Sequence, residues 1–203
     1  MSKKTKYIII LIIAVIILLI ILFAKIFNVK IIILKNIYPK KYEEYVEKYS
    51  REYNVDPLLI FSIIKAESNF KQDAKSSSNA KGLMQLMDAT ATEIANKIDE
   101  PIIEEESLFD PEKNIMIGTK YYSELLKIYD GNMLLTLAAY NAGIGNVNEW
   151  IETGIIRKDG SDIENIPYKE TNMYVRKIIN SYKMYQKIYS QNYWKLNLLS
   201  IQL

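Results

Sequence analysis

The chain has 203 residues, of which 49% are hydrophobic and 25% are charged, and these values suit one globular domain together with an additional hydrophobic segment. It contains neither cysteine nor histidine, which excludes disulfides, zinc sites of the usual kind and any Ser-His or Cys-His nucleophile. Acid/base chemistry therefore has to come from carboxylates, lysines or tyrosines.

The first element along the chain is a long apolar segment. No charged residue occurs between Tyr7 and Ala24, and these eighteen residues would span roughly 27 Å as a helix, close to the thickness of a bilayer's hydrocarbon core. Three lysines precede the segment, and the positive-inside rule places them in the cytoplasm. We therefore predict a basic cytoplasmic tip over residues 1–6, a single transmembrane anchor over 7–27 and a connector over 28–40, with the remaining chain outside the cell membrane.

A cleaved signal peptide is the alternative for this segment. Its apolar region is long for a signal peptide, and its end at Leu22-Phe23-Ala24 lacks the small-x-small pattern that a signal peptidase prefers. Anchoring as a lipoprotein is excluded because there is no cysteine to acylate. These observations favour an uncleaved anchor.

The charge balance changes beyond the apolar segment. Six of the 26 basic residues and none of the 24 acidic residues lie within residues 1–35, so the rest of the chain has 20 basic and 24 acidic residues and a net charge of −4. A domain that repels phosphate overall is a poor binder of nucleic acid, and we expect no nucleic-acid partner.

From residue 41 onward the hydrophobic pattern is helical, without sustained period-two alternation. Two Asp-Pro pairs, at 56–57 and 110–111, are typical of an N-cap followed by proline at the first helical position, and they predict helices over 57–68 and 111–129. Thr90 and Glu93 are spaced as a capping box at the start of a helix over 90–97. We also predict helices over 132–140 and 167–189, an exposed irregular loop over 153–166, and a tail over 191–203 that packs back onto the domain.

Glu67 lies at the end of an apolar stripe on the predicted helix 57–68. Ile60, Ile63 and Ile64 precede it by seven, four and three positions, so they share its face of the helix. Partial burial and the negative end of the helix dipole both raise the pKa of a carboxyl group, and a carboxyl protonated near neutral pH is the acid that glycosidic cleavage requires. The stripe alone leaves open a structural alternative, in which Glu67 pairs with a Lys or Arg and merely closes the helix.

Four strings of residues extend this observation along the chain. They are Glu67-Ser68, Gly82-Leu83-Met84-Gln85, Ala139-Tyr140-Asn141-Ala142-Gly143, and Glu170-Thr171 with Tyr174-Val175. In this order the strings resemble the soluble lytic transglycosylase family, whose catalytic domain has a lysozyme-like, mainly α-helical fold. The resemblance covers roughly residues 42–190 and includes Leu108-Phe109-Asp110-Pro111. It implies a mainly α, lysozyme-like helical domain over 41–190, preceded by the single transmembrane helix.

The resemblance also implies a role for individual residues. Glu67 matches the sole catalytic acid/base, and six further positions match residues that bind the sugar, order the site or line the cleft: Ser76, Met84, Gln85, Tyr140, Asn141 and Glu170. For Met84, filling of the core is an equally good interpretation. For Tyr174 and the other tyrosines packing is the expected role, with stacking of some of them on sugar faces as the alternative. The chain departs from the family at Asp88, where the family often has proline.

The implied reaction is cleavage of peptidoglycan glycan strands between N-acetylmuramic acid and N-acetylglucosamine, closing a 1,6-anhydro ring without water, metal or cofactor. Hydrolytic glycosidases ordinarily use two carboxylates, and no second acid stands out here. The alternatives are a hydrolytic muramidase of lysozyme type and a non-catalytic scaffold that binds the cell wall. Besides the glycan strands and the membrane, a cell-envelope assembly is an expected partner.

Overall fold

The computed structural model of the protein describes residues 2–100 and 105–189. The chain forms two compact units, with the boundary between Pro39 and Lys40. The predicted tail over 191–203, and with it the expectation that the tail packs onto the domain, lies outside the described residues.

The first unit is one long helix, α1, over Lys3–Ile37. Ser2 caps it, because the Ser2 hydroxyl accepts a hydrogen bond from the Thr5 backbone N–H at 3.2 Å. By length and composition α1 can cross a membrane, and most of its described apolar side chains are exposed within the structure. The helix includes the predicted anchor over 7–27 and continues through most of the predicted connector over 28–40. Most of the predicted connector is therefore helical and continuous with the predicted anchor, because neither glycine nor proline occurs between residues 28 and 38.

The second unit is a bundle of seven helices with two short 3₁₀ helices in the described part of the chain. The helices are α2 over Glu43–Glu52, α3 over Pro57–Glu67, α4 over Asp88–Lys97, α5 over Pro111–Ile128, α6 over Met133–Ala142, α7 over Ile144–Glu152 and α8 over Lys169–Tyr189, and the 3₁₀ helices cover Glu105–Phe109 and Ile163–Asn165. The described residues contain no β-strand, only two isolated bridges near Lys81. The expected mainly α-helical class is confirmed.

Two of the predicted helix starts are capped by the side chains that the sequence indicates. The Asp56 carboxylate accepts the Leu58 N–H at 2.8 Å and the Asp110 carboxylate accepts the Lys113 N–H at 2.9 Å, each one residue before the proline that begins its helix. The predicted capping box in α4 is wrong. That helix begins two residues earlier than Thr90, at Asp88, and its N-cap residue makes no side-chain hydrogen bond.

The segment after α6 is more helical than the sequence indicates. Gly143, with φ of +88°, ends α6 and starts α7 directly, so the chain turns at one residue that tolerates this backbone conformation. The predicted loop over 153–166 is irregular but contains the second 3₁₀ helix, and Ile156 and Ile166 in it are buried. The last helix begins at Lys169 and not at 167.

The core of this unit surrounds α3, which packs against α2 and α8. Its side chains Ile60, Phe61, Ile63 and Ile64 are fully buried, and the Phe61 ring stacks on Tyr185 of α8 at a centroid distance of 5.8 Å. Each such side chain stabilises the fold by roughly 1.5–3 kcal/mol relative to an exposed one. The end of α3, where Glu67 lies, is thereby held against α8.

Candidate active site

Glu67 is the last residue of α3, and its side chain is half-buried. The phenol of Tyr174 on α8 donates a hydrogen bond of 2.7 Å to Oε1 of Glu67. None of the ion pairs formed within residues 2–100 and 105–189 includes Glu67. The structural alternative, a glutamate locked to a basic residue, is thus not what the described residues form.

Burial is the main cause of the raised pKa of Glu67, which moves from its ordinary value of 4.5 to about 7. The hydrogen bond from Tyr174 and the positive charge of Lys177 act in the opposite direction and lower this pKa, while the negative charge of Glu170 raises it further. At neutral pH the carboxyl group is therefore present in comparable amounts of its protonated and ionised forms. Such a group can both donate and accept a proton.

Tyr140 on α6 lies beside the same carboxyl. Burial and then the charge of Glu67 raise the pKa of Tyr140 well above its ordinary value, so its phenol stays protonated. The hydroxyl donates a hydrogen bond of 2.9 Å to the carbonyl of Met84, and the ring lies 5.2 Å from that of Tyr121. Tyr140 thus joins α6 to the loop between α3 and α4 at the position of Glu67.

That loop, over residues 68–87, holds three of the predicted site residues, which are Ser76, Met84 and Gln85. Gln85 has a positive φ of 49°, and its side-chain amide donates to the carbonyls of Ala74 at 3.1 Å and Gly82 at 2.9 Å. The hydroxyl of Ser76 accepts the Ala80 N–H at 3.0 Å and is partly exposed. In the structure both side chains order the loop, and Ser76 retains access to solvent.

The side chain of Met84 is fully buried. It packs against Gly118 of α5 so closely that a Cβ at position 118 would come within 2.5 Å of the Met84 sulfur. Asn114 of the same helix accepts the Met84 N–H at 2.8 Å. Of the two interpretations of Met84, this geometry favours core filling, and it is the backbone carbonyl of Met84 that bonds to Tyr140.

Asn141 and Glu170 are exposed at the rim of the site. The side-chain oxygen of Asn141 accepts a hydrogen bond of 2.7 Å from the hydroxyl of Thr171, the residue after Glu170. This bond joins the end of α6 to the start of α8. The predicted residues Glu67, Tyr140, Asn141 and Glu170 are therefore brought together by α3, α6 and α8.

Two residues near Glu67 were not predicted to have a role. From the sequence Tyr174 is expected to pack, and Lys177 is not among the predicted site residues. The signal available in the sequence was their spacing from Glu170, since residues at i, i+4 and i+7 share one face of a helix.

Two cavities lie elsewhere on the domain. One, of about 400 Å³, is lined by residues that include Tyr129, Asn132 and Asn148, and the other, of about 440 Å³, by residues that include Tyr49 and Tyr53. Glu67 lines neither cavity. The candidate site is therefore identified by its chemistry and not by its volume.

Comparison with known proteins agrees with this assignment of the fold. The model of the transglycosylase SLT domain matches residues 44–161, more than half of the chain. The chain belongs to this family. The structure of an inactive glutamate-to-glutamine mutant of the lytic transglycosylase Slt from Pseudomonas aeruginosa superposes with a TM-score of 0.68 at 33% identity, over 74% of this chain and 24% of that one. The expected lysozyme-like fold is confirmed.

Two curated relatives of the family differ in their relation to the membrane. The soluble lytic murein transglycosylase of Escherichia coli is 32% identical over 158 residues, which is 77% of this chain and 24% of the relative. The membrane-bound lytic murein transglycosylase C of Edwardsiella ictaluri is 33% identical over 192 residues, 80% of this chain and 52% of the relative. The chain thus spans about a quarter to a half of the length of these proteins.

Proposed function

We propose that the protein is a peptidoglycan lytic transglycosylase with Glu67 as its single acid/base residue. The observation that carries the proposal is the half-buried carboxyl of Glu67 at the end of α3, bonded to Tyr174 and with its pKa raised to about 7. Support also comes from the family, whose relatives are named as lytic murein transglycosylases, and from the Pseudomonas structure of an inactive glutamate-to-glutamine mutant.

In the first step protonated Glu67 donates its proton to the oxygen that joins N-acetylmuramic acid to N-acetylglucosamine. The bond from the muramoyl C1 to this oxygen breaks, and the N-acetyl carbonyl of the same sugar stabilises the positive charge that develops at C1. General acid catalysis of this kind is most effective when the pKa of the acid is close to the working pH. Glu67 meets that condition because burial opposes its ionised form.

In the second step the ionised Glu67 takes the proton of the muramoyl C6 hydroxyl. The C6 oxygen then forms a bond to C1, which closes the 1,6-anhydro ring and restores the proton to Glu67. No water is consumed, and one carboxylate suffices. A hydrolytic glycosidase would need a second carboxylate at a defined separation from the first. Asp88, one of the nearest acids in sequence, is occupied by bonds to Lys81 and Asn79.

We assign supporting roles to the residues around Glu67. Tyr174 and Tyr140 keep their protons and orient the site through their hydroxyl groups. Asn141 and Glu170, exposed at the rim, are placed to contact the sugar chain. Ser76 and Gln85 act through the loop that they order, and Met84 acts through its backbone.

We further propose that α1 anchors the protein in the cell membrane as a single pass, with the basic tip in the cytoplasm and the catalytic domain outside. The length and apolar composition of α1 support this, as does the similarity to membrane-bound relatives. The partners would then be peptidoglycan glycan strands and the membrane, with a cell-envelope assembly as a further partner.

Digestion of purified peptidoglycan tests the reaction. The full-length protein in mild detergent should release muramoyl ends that are lighter by one water than the products of hydrolysis, as measured by mass spectrometry. Glu67→Gln should lower cleavage by roughly 10²–10⁴-fold without unfolding the protein, because its amide cannot transfer the proton. Glu149→Gln on α7, an exposed position, is the matched control and should cleave like the unmodified protein.

Each alternative gives a different result in the same assay. Products with reducing ends would show a hydrolytic muramidase. Binding of peptidoglycan without any cleavage would show a scaffold. Substantial cleavage by Glu67→Gln would contradict the assignment of the acid/base residue.

A further inference from the structure

One stripe of α8 carries three polar groups toward Glu67. Glu170, Tyr174 and Lys177 follow each other at intervals of four and three residues, so they lie on the same face of the helix. The stripe therefore presents a negative charge, a hydrogen-bond donor and a positive charge in succession. All three affect the ionisation of Glu67, and only Tyr174 bonds to the Glu67 side chain directly.

Lys177 acts on the backbone next to Glu67. Its Nζ donates a hydrogen bond of 2.7 Å to the carbonyl oxygen of Ala66, the residue before Glu67. The last four carbonyl groups of a helix have no partner within the helix, and a cation near them is favourable because it opposes the negative end of the helix dipole. The bond from Lys177 thus attaches the last turn of α3 to α8 at the peptide that leads into the catalytic carboxyl.

We propose that Lys177 is a positioning residue for the reaction: it holds the last turn of α3 so that the Glu67 carboxyl stays on Tyr174, and its charge stabilises the ionised form of Glu67. This inference rests on the proposed role of Glu67 as acid/base. It adds a residue that acts through the Glu67 carboxylate, which forms in the first step and accepts a proton in the second.

The groups that face Glu67 act in opposite directions. Burial and Glu170 favour the protonated carboxyl, whereas Tyr174 and Lys177 favour the carboxylate. From α6, Tyr140 is neutral, since its own pKa is well above the ordinary value. On α3 itself, burial and then the nearby charge of Lys177 lower the pKa of Lys65. Without Lys177 the balance moves toward the protonated form, so the carboxylate that forms when Glu67 gives up its proton is less stable and the first step becomes slower.

The neighbouring cation on α8 provides a matched control. Arg176 precedes Lys177 and is exposed, and its Nε donates to the side-chain oxygen of Asn172 at 2.8 Å. It does not contribute to the shifted pKa of Glu67. Replacing Arg176 by methionine removes the same charge from the same turn of the helix without removing the bond to Ala66.

The experiment compares pH profiles of peptidoglycan cleavage for the full-length protein and four variants, which are Lys177→Met, Lys177→Gln, Lys177→Arg and Arg176→Met. Because kcat/KM falls as Glu67 loses its proton, the alkaline limb reports the pKa of Glu67. In Lys177→Met the limb should move to higher pH by about half a unit, the effect of one exposed charge nearby. We expect kcat to fall roughly ten-fold with KM nearly unchanged, because the last turn of α3 is no longer held and proton donation by Glu67 is harder, whereas substrate binding is unaffected.

The other variants separate charge from hydrogen bonding. Lys177→Arg should restore both the profile and kcat, and Arg176→Met should match the unmodified protein. Lys177→Gln keeps a donor for the Ala66 carbonyl without the charge, so it should retain the folded state and still show the shifted limb. A ¹³C NMR titration of labelled glutamate, with Glu67 assigned through Glu67→Gln, measures the same shift without reference to activity.

The outcomes for the two proposals are distinct. The proposed function stands if the unmodified protein cleaves peptidoglycan and Glu67→Gln does not. In that case the role of Lys177 is wrong if the pH profiles and NMR titrations of Lys177→Met and Lys177→Gln match those of the unmodified protein. If the unmodified protein fails to cleave, or if Glu67→Gln still cleaves, the proposed function is wrong. The NMR titration then still decides whether Lys177 stabilises the Glu67 carboxylate.

Discussion

The ion pair between Lys81 and Asp88 supports the loop that carries Ser76 and Gln85, and its removal should be costly. The side chain of Lys81 is fully buried, and its Nζ lies 2.5 Å and 2.7 Å from the two oxygens of Asp88. Asn79 donates to the same carboxylate at 3.0 Å. In Asp88→Asn the buried ammonium would face a neutral amide in place of a carboxylate.

The size of this effect follows from the burial of the two partners. Breaking a fully buried pair by removing one charge costs about 3–5 kcal/mol. Because the side chain of Asp88 is 48% exposed and water can reach it, we expect about 2–4 kcal/mol for Asp88→Asn. For a domain of this size each 1 kcal/mol lowers Tm by roughly 2–4 °C. The melting temperature should therefore fall by roughly 5–15 °C.

Thermal unfolding of the full-length protein in detergent, followed by tryptophan fluorescence, measures this change because Trp150 is buried in the domain. Asp73→Asn, an exposed change of the same charge in the same loop, is the control and should stay within about 0.5 kcal/mol of the unmodified protein. Lys81→Met combined with Asp88→Asn should recover part of the loss, since the buried charge is then gone. If Asp88→Asn is no less stable than Asp73→Asn, the ion pair does not support the loop.

Two further predictions concern Glu67. Tyr174→Phe removes the hydrogen bond that lowers the pKa of Glu67. In assays of peptidoglycan cleavage, kcat should therefore fall roughly ten-fold and the alkaline limb of kcat/KM should move to higher pH. An unchanged pH profile would contradict the role of this bond. A carboxyl whose pKa is raised in the folded state makes the protein less stable as the pH rises from 4.5 through 7. Glu67→Gln removes this effect. The variant should therefore be more stable than the unmodified protein by about 2–3 kcal/mol above pH 7 and equally stable below pH 4.5. Denaturant unfolding at pH 4, 6 and 8 measures this difference, and a constant offset at all three values would exclude Glu67 as its source.

The sequence predicts the parts of this fold that local chemistry determines. The Asp-Pro pairs at 56–57 and 110–111 begin α3 and α5 because both the carboxylate cap and the fixed φ of proline act within one turn. The apolar stripe before Glu67 likewise predicts its partial burial and the direction in which its pKa moves. The sequence does not predict α7, because two glycines within three residues, at 143 and 145, weaken the helical pattern. The helix forms because Val147 and Trp150 pack into the core.

What the sequence could not predict depends on contacts between distant segments. Tyr174 and Glu67 are separated by 107 positions, and the choice among sixteen tyrosines depends on how α8 packs on α3. Met84 belongs to a motif that suggests a lined cleft, yet the close approach of Gly118 takes its side chain into the core. The capping box of Thr90 and Glu93 fits the local pattern, but Asp88 begins the helix earlier at the position where it binds the buried Lys81.

The absence of histidine makes Glu67 unusually informative about this protein. Carboxylates ordinarily titrate near pH 4, and lysines and tyrosines near pH 10, so apart from a terminal amine few groups in a chain without histidine or cysteine change charge near neutral pH. Among the described residues whose pKa is shifted, Glu67 is the one that reaches about 7. Activity and stability between pH 5 and 8 should therefore follow the same proton. The loss of stability caused by Glu67 should level off at the same pH at which cleavage declines. Both changes report the ionisation of one carboxyl group that lies against α8.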